Sequence, residues 1–131
     1  MRDIILVSGG FDPVHSGHIK LIQEASNHGD VVVLLNSDNW LKKKKGKAFL
    51  SFNERKIIMN ALKKVIDVIE FDDSDKTCIN GIEKAIKKYP DNKIIFANGG
   101  DRNNKTTPEI EFCNKNNVRT LWAIGGSNKT N

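Results

Sequence analysis

Two histidines, His15 and His18, stand three residues apart at the end of a glycine-containing stretch that begins at Gly9. The stretch follows the apolar run Ile4–Val7, which is typical of a short buried strand. The i, i+3 spacing places both imidazoles on one face of the first turn of a predicted helix. Glycines let a backbone approach a ligand and tolerate positive φ, and a helix N-terminus attracts anions. Imidazole donates hydrogen bonds to phosphate and, when protonated, adds positive charge where phosphoryl transfer builds negative charge. The pattern predicts a phosphate-chain site, in which Gly17 keeps the space between the histidines free of a side chain.

Basic side chains follow the second predicted strand, where Lys42–Lys45 and Lys47 form a run that we expect to be a flexible loop. By composition alone such a run is also typical of a solvated surface or of a nonspecific nucleic-acid patch. The scarcity of aromatic residues between the lysines argues against a stacking platform for single strands.

A further basic residue, Arg55, lies at a predicted helix start, where Ser51 can act as N-cap and Glu54 as its capping-box partner. Arg55 either pairs with Glu54 or solvent, or binds phosphate with its guanidinium fork.

The elements that must position these residues alternate along the chain. Three apolar stripes with helical spacing predict helices, a shorter helix is expected to start near Thr107-Pro108, and Pro90 ends the third stripe. The stripes are Ile19, Leu21, Ile22 and Ala25; Ile57, Ile58, Ala61 and Leu62; and Ile79, Ile82, Ala85 and Ile86. The predicted strands are Ile4–Ser8, Val31–Asn36, Val65–Phe71, Lys93–Asn98 and Val118–Ile124.

Strands that are apolar on both faces and alternate with helices indicate a parallel sheet covered on both sides. The predicted fold is therefore α/β, a Rossmann-like three-layer sandwich with a five-stranded, mainly parallel sheet. Ligands of such sheets bind outside the carboxyl ends of the strands. The connections at 9–18, 36–50 and 98–107 and the tail from Gly125 are polar or glycine-rich. We expect them to form one composite site.

The whole-chain properties narrow the class of protein. A length of 131 residues suits one domain, and a net charge of +5 suits a polyanionic ligand. No apolar stretch approaches the roughly 20 residues of a membrane span, and the N-terminus does not look like a signal peptide. Cys78 and Cys113 are far apart and lack metal-ligand spacing, so we expect reduced thiols in a cytoplasmic protein.

The segment Phe11-Asp12-Pro13-Val14-His15-Ser16-Gly17-His18 resembles the HxGH signature of the nucleotidyltransferase superfamily. Asn36-Ser37-Asp38, the lysine-rich stretch, Ser51–Arg55 and Asn98–Asp101 are similar to bacterial glycerol-3-phosphate cytidylyltransferases and to the nucleotidyl-transferring domain of heptose-phosphate enzymes. The resemblance implies transfer of CMP from CTP to a small phosphorylated acceptor, Mg²⁺ held mainly by the nucleotide phosphates, and a homodimer. An adenylyltransferase that uses ATP is the alternative within the superfamily. A basic nucleic-acid-binding module is the alternative from another class.

The resemblance also assigns residues. It implies catalytic roles for His15, His18, Lys44 and Arg55, and nucleotide contacts for Gly9, Gly10, Phe11, His15, His18, Gly99, Asp101 and Ser127; it assigns no protein ligand to the metal.

Two of these assignments are incomplete. Counting back from Arg55 favours Lys44, but Gly46 falls where relatives often carry a second lysine, so the acting lysine of 42–47 stays open. In the family, a Ser/Thr-rich turn follows the last strand, and residues 125–131 contain only the segment that leads to it. Either Ser127 and Thr130 take the place of that turn, or the sequence stops before it. We expect a single nucleotidyltransferase domain over 1–131 that lacks the signature turn and last helix.

Overall fold

A computed structural model describes residues 2–98 and 107–122 of the chain. Within them, strands alternate with helices, as the apolar patterning predicts, except that two consecutive helices separate the second and third strands. The elements are β1 (Ile4–Gly9), α1 (Ser16–Ala25), β2 (Asp30–Leu35), α2 (Asp38–Lys45), α3 (Phe52–Ala61), β3 (Val65–Glu70), α4 (Ile79–Lys88), β4 (Ile94–Asn98), α5 (Pro108–Lys115) and β5 (Arg119–Trp122).

The five strands form one sheet in the order β3-β2-β1-β4-β5, and every neighbouring pair is parallel. The predicted α/β fold is therefore confirmed. Strand β1 lies at the centre, so the connection that follows it, with both histidines, leaves the middle of the sheet's carboxyl edge. Reversal of strand order on the two sides of β1 makes this point the natural crevice of the fold.

Two hydrophobic clusters cover the two faces of the sheet. Alternate residues of β1 divide between them: Ile4 and Leu6 pack with α4 and α5, whereas Ile5 and Val7 pack with α1 and α3. This period of two on a sheet buried on both sides explains why the strands are apolar throughout.

One local prediction is wrong. The segment at Lys42–Lys45 is not a loop, because these lysines form the last turn of α2, which ends at Gly46 with a left-handed φ of 90°. Cationic side chains suit this end, where the helix dipole is negative.

The helix predicted from the second apolar stripe is confirmed as α3, but not every residue of that stripe is buried. Ile57 is 57% exposed and Ala61 is exposed, whereas Arg55 and Met59 face the sheet. Arg55 and Met59 are four apart and share one side of the helix. The side chain of Arg55 makes four hydrogen bonds to groups of the protein, which hold that side inward.

Three predicted helix ends are confirmed. Thr107 caps α5, which begins at Pro108, and α4 ends at Lys88, before Pro90. Ser51 caps α3 by accepting from the Glu54 backbone N–H at 3.2 Å. Among the described residues no helix is long and apolar enough to cross a membrane.

Cys78 and Cys113 are free and buried. Burial raises the pKa of Cys78 to about 12 and that of Cys113 to about 11. Both side chains are therefore neutral thiols at neutral pH.

Candidate active site

The two histidines cap α1 reciprocally. His15 is the N-cap, and its Nδ1 accepts from the Gly17 backbone N–H at 3.1 Å. The His18 Nδ1 accepts from the His15 backbone N–H, also at 3.1 Å. A neutral imidazole that accepts at Nδ1 carries its proton on Nε2. Each ring therefore retains an Nε2–H donor that the helix cap does not use.

The rings are held as a pair. Their centroids are 3.9 Å apart with planes 26° from parallel, and the buried ring of Phe11 meets His18 edge-on at 4.8 Å. Burial, and secondarily repulsion from His15, lowers the pKa of His18 below its usual 6.5. The structure thus favours a neutral hydrogen-bond donor at His18, rather than the protonated ring that the sequence also allowed.

The glycines of the turn are explained by close contacts rather than by positive φ. The left-handed φ in this turn falls on Phe11, at 49°. A Cβ at Gly10 would lie 2.7 Å from Leu41 Cδ2, and one at Gly17 would lie 2.9 Å from His15 Cε1. Gly17 therefore keeps space for the His15 ring, as predicted, and Gly10 lets the turn lie against α2. The first turn of α1 carries no acidic side chain, which leaves its positive end to an external anion.

Arg55 is bonded to protein groups at the carboxyl edge of the sheet. Its side chain is fully buried, and Nη1 donates to the backbone oxygens of Gly10 (3.0 Å) and Asn36 (2.8 Å). Nε donates to the Leu50 oxygen at 3.1 Å, and Nη2 pairs with Asp38 at 2.6 Å. The guanidinium is thus committed to protein groups, not to Glu54 or to solvent. A direct phosphate contact by Arg55 stays a prediction.

Asp12, inside the motif, ties the phosphate turn to the end of α2. Its side chain is 1% exposed and accepts from the backbone N–H groups of Phe49 (2.6 Å) and Leu50 (2.7 Å). Lys45 Nζ donates to the Asp12 backbone oxygen at 2.6 Å and pairs with its carboxylate at 3.1 Å. Burial by itself raises the pKa of Asp12, but these hydrogen bonds and the lysine charge outweigh it and lower the pKa below 3.8.

The lysines of α2 therefore differ in availability. Lys45 is occupied by Asp12, whereas Lys44 Nζ lies 4.6 Å from the centre of the Trp40 ring. Lys43 and Lys44 both line a cavity of about 680 Å³. Lys44 thus lies at the predicted position, and none of the ion pairs among the described residues includes it. Its catalytic role stays a prediction.

Two cavities lie on opposite sides of β1 at the carboxyl edge. The larger lies beyond β2 and β3 and includes Trp40. The smaller, of about 330 Å³, is lined by β1 and β4 residues together with Thr107 and Glu109. Because β1 is the central strand, the histidine turn leaves the sheet between its β2 and β4 sides.

Some predicted site residues fall outside the described part of the chain: Gly99, Asp101 and Ser127. Within that part, no group of three or more histidine, cysteine or carboxylate side chains could hold a metal ion.

Sequence reasoning missed the roles of Asp12, Trp40 and Asp73. Asp73 is buried and accepts from Asn36 Nδ2 (3.0 Å) and from the Ser37 N–H (2.8 Å) and hydroxyl (2.7 Å). The only signal in the sequence was the acid-rich stretch after β3. Nothing local indicated its partners, which are 36 and 37 residues away.

A fully parallel sheet with a histidine turn at its topological crevice defines an α/β protein whose crevice suits an anion. The chain belongs to the cytidylyltransferase-like family, whose model matches residues 6–127. The predicted family resemblance is thereby confirmed.

Individual relatives agree with this family. The chain is similar to the bifunctional protein HldE of Aliarcobacter butzleri, with 32% identity over 99% of this chain and 26% of that protein. It is also similar to the glycerol-3-phosphate cytidylyltransferase of Bacillus subtilis, with 38% identity over 50% of this chain and 51% of that enzyme. The matches thus span about a quarter of the first relative and about half of the second.

A solved structure shares the fold. The lipopolysaccharide core biosynthesis protein from Thermoplasma volcanium superimposes with a TM-score of 0.66 over 93% of this chain and 96% of that one, at 21% identity.

Proposed function

We propose that this chain is a nucleotidyltransferase that moves CMP from CTP to a small phosphorylated acceptor, such as glycerol 3-phosphate or a sugar phosphate, and releases pyrophosphate. The observation that carries the proposal is the reciprocal cap of His15 and His18, which leaves two fixed Nε2–H donors at the centre of the sheet's carboxyl edge. The family match supports the reaction class.

The reaction needs no covalent enzyme intermediate. A phosphate oxygen of the acceptor forms a bond to the α-phosphorus, and the bond from that phosphorus to the departing pyrophosphate breaks on the opposite side. Charge builds on the non-bridging oxygens during this exchange. Donors that are already positioned stabilise it without reorganisation, which is the task we assign to His15 and His18 with Lys44.

Magnesium is part of the proposal as an ion bound mainly by the nucleotide phosphates, where it would neutralise their charge. Arg55 contributes by holding the Gly10 and Asn36 backbone oxygens in place, so its role here is positioning. A homodimer stays a prediction.

The test measures pyrophosphate release with each of four nucleoside triphosphates against a panel of phosphorylated acceptors. His18→Asn is the informative variant, because the Asn Oδ1 can replace Nδ1 as the cap acceptor while the Nε2 donor is lost. Turnover should fall about 10²- to 10³-fold with folding preserved, by analogy with the loss of an oxyanion-hole donor. The matched control His28→Asn, at an exposed histidine after α1, should keep wild-type turnover.

Each result has a distinct reading. Wild-type turnover in His18→Asn contradicts the proposed site. Release with ATP but not with CTP would assign adenylyl transfer in place of cytidylyl transfer. ATP is tested because HldE matches over nearly the whole chain. Salt-sensitive binding of a generic oligonucleotide without binding of any nucleoside triphosphate would favour the nucleic-acid-binding module instead.

A further inference from the structure

The surface around the end of α2 combines an exposed aromatic ring with a high density of positive charge. Residues 42–47 are all exposed, and Phe49, in the linker to α3, is 59% exposed. Lys45 Nζ lies 4.4 Å and Lys47 Nζ 5.1 Å from the centre of the Phe49 ring. We call Lys42–Lys45, Lys47 and Phe49 the basic surface.

The basic surface accounts for the net charge of the whole chain. Residues 39–53 contain five lysines and no acidic residue. The chain has 21 basic and 16 acidic residues, so without these five lysines the two signs would be equal in number. Within the described part of the chain, Lys45 is the one lysine of this segment in an ion pair, with Asp12. Positive charge that is concentrated in one place and largely unpaired indicates a polyanionic partner.

The environment of Phe49 distinguishes between two kinds of polyanion. Single-stranded nucleic acid stacks its bases on the faces of aromatic side chains. The ammonium groups of Lys45 and Lys47 lie over the Phe49 ring, where a base would have to stack. At a membrane surface, lysine ammonium groups instead bind anionic headgroups while an apolar ring enters the boundary with the acyl chains. The arrangement therefore fits an anionic lipid surface better than a nucleic acid.

Hydrogen bonds to a buried carboxylate hold the basic surface in place. The backbone N–H groups of Phe49 and Leu50 donate to Asp12 at 2.6 and 2.7 Å. The lysines at 42–45 belong to the last turn of α2. An ordered surface loses less conformational entropy on docking than a flexible loop of the same composition. Exposure of the Phe49 ring is thus a feature of an ordered backbone.

We propose that the basic surface docks this protein on an anionic phospholipid bilayer, with its lysines on the headgroups and Phe49 at the acyl boundary. Docking of this kind is peripheral and needs no spanning helix. Asp12, which binds the main chain of the basic surface, lies three residues before His15. Docking would therefore hold the candidate active site next to the lipid surface. The inference does not depend on the proposed reaction.

Co-sedimentation with vesicles tests the proposal. Vesicles of phosphatidylglycerol mixed with phosphatidylcholine should bind the wild type at low ionic strength, and added salt should weaken the binding. Vesicles of phosphatidylcholine alone should bind it far more weakly. The double variant Lys42→Gln with Lys47→Gln should bind the anionic vesicles about thirtyfold more weakly, at about fivefold per lysine. Phe49→Ser should weaken binding about tenfold, and Phe49→Trp should restore it.

A second lysine pair separates the basic surface from net charge. Lys63→Gln with Lys64→Gln removes the same charge from exposed positions beyond α3 and should bind like the wild type. Equal losses in both pairs would overturn the proposal, as would wild-type binding by Phe49→Ser or the absence of binding to anionic vesicles. Tighter binding of a generic oligonucleotide than of these vesicles would overturn it in favour of a nucleic acid. Pyrophosphate release measured without vesicles tests the proposed function separately, so either can fail alone.

Discussion

Replacement of Arg55 by methionine tests whether this buried guanidinium holds the site together. The substitution keeps side-chain length and apolar contact but removes all four hydrogen bonds. Three backbone oxygens would lose a donor, at about 1 kcal/mol each, and Asp38 would lose a charged partner, worth about 1.5 kcal/mol or more. These contributions give an expected loss of about 4.5 kcal/mol in the free energy of unfolding.

Urea unfolding followed by circular dichroism measures this loss directly. Arg55→Lys should recover part of it, because an ammonium restores the charge but not the planar fork that reaches several oxygens at once. Lys64→Met, which removes the same charge from an exposed position beyond α3, serves as the control and should change stability by no more than about 0.5 kcal/mol. A loss below about 1 kcal/mol in Arg55→Met would refute the view that these bonds hold the turn.

Three further changes follow from the same geometry. Gly17→Ala should push the His15 ring aside, because the new Cβ would lie 2.9 Å from it. We expect pyrophosphate release to fall about tenfold or more in activity assays, and thermal melts to show a loss of about 1 kcal/mol in stability from the disturbed cap. Unchanged turnover would contradict this prediction. The pKa of Asp12 is lower in the folded than in the unfolded protein, so its contribution to stability is present above about pH 4 and is lost as pH falls through the folded pKa. Asp12→Asn should abolish that part of the pH dependence of stability, measured by urea unfolding at several pH values. Parallel profiles of stability against pH in the variant and the wild type would refute this prediction. The pKa of His18 lies below 6.5, and protonation at Nδ1 would break its bond to the His15 N–H. We therefore expect kcat/KM to stay level as pH falls through about 6.5 and to decline only below that pH. A decline above this pH that His18 governs would count against the neutral donor.

Much of the fold could be predicted because its signals are local. Apolar strands alternating with helical stripes indicated the parallel sheet, and Thr107-Pro108, Ser51 and Pro90 marked helix ends by backbone chemistry that depends on a few neighbouring residues. The face of α3 could not be predicted in this way. Ile57 belongs to the apolar stripe and is exposed, whereas the charged Arg55 is buried by its hydrogen bonds.

The sequence by itself determined where a phosphate site would lie, since the spacing of His15 and His18 after a buried strand places both rings at one helix start. Tertiary structure alone decided how that site is held. The bond from Arg55 to the Gly10 oxygen spans 45 residues, and that from the Phe49 N–H to Asp12 spans 37. Such contacts form only when the parallel strands bring their carboxyl ends to one edge, so no local pattern of residues encodes them.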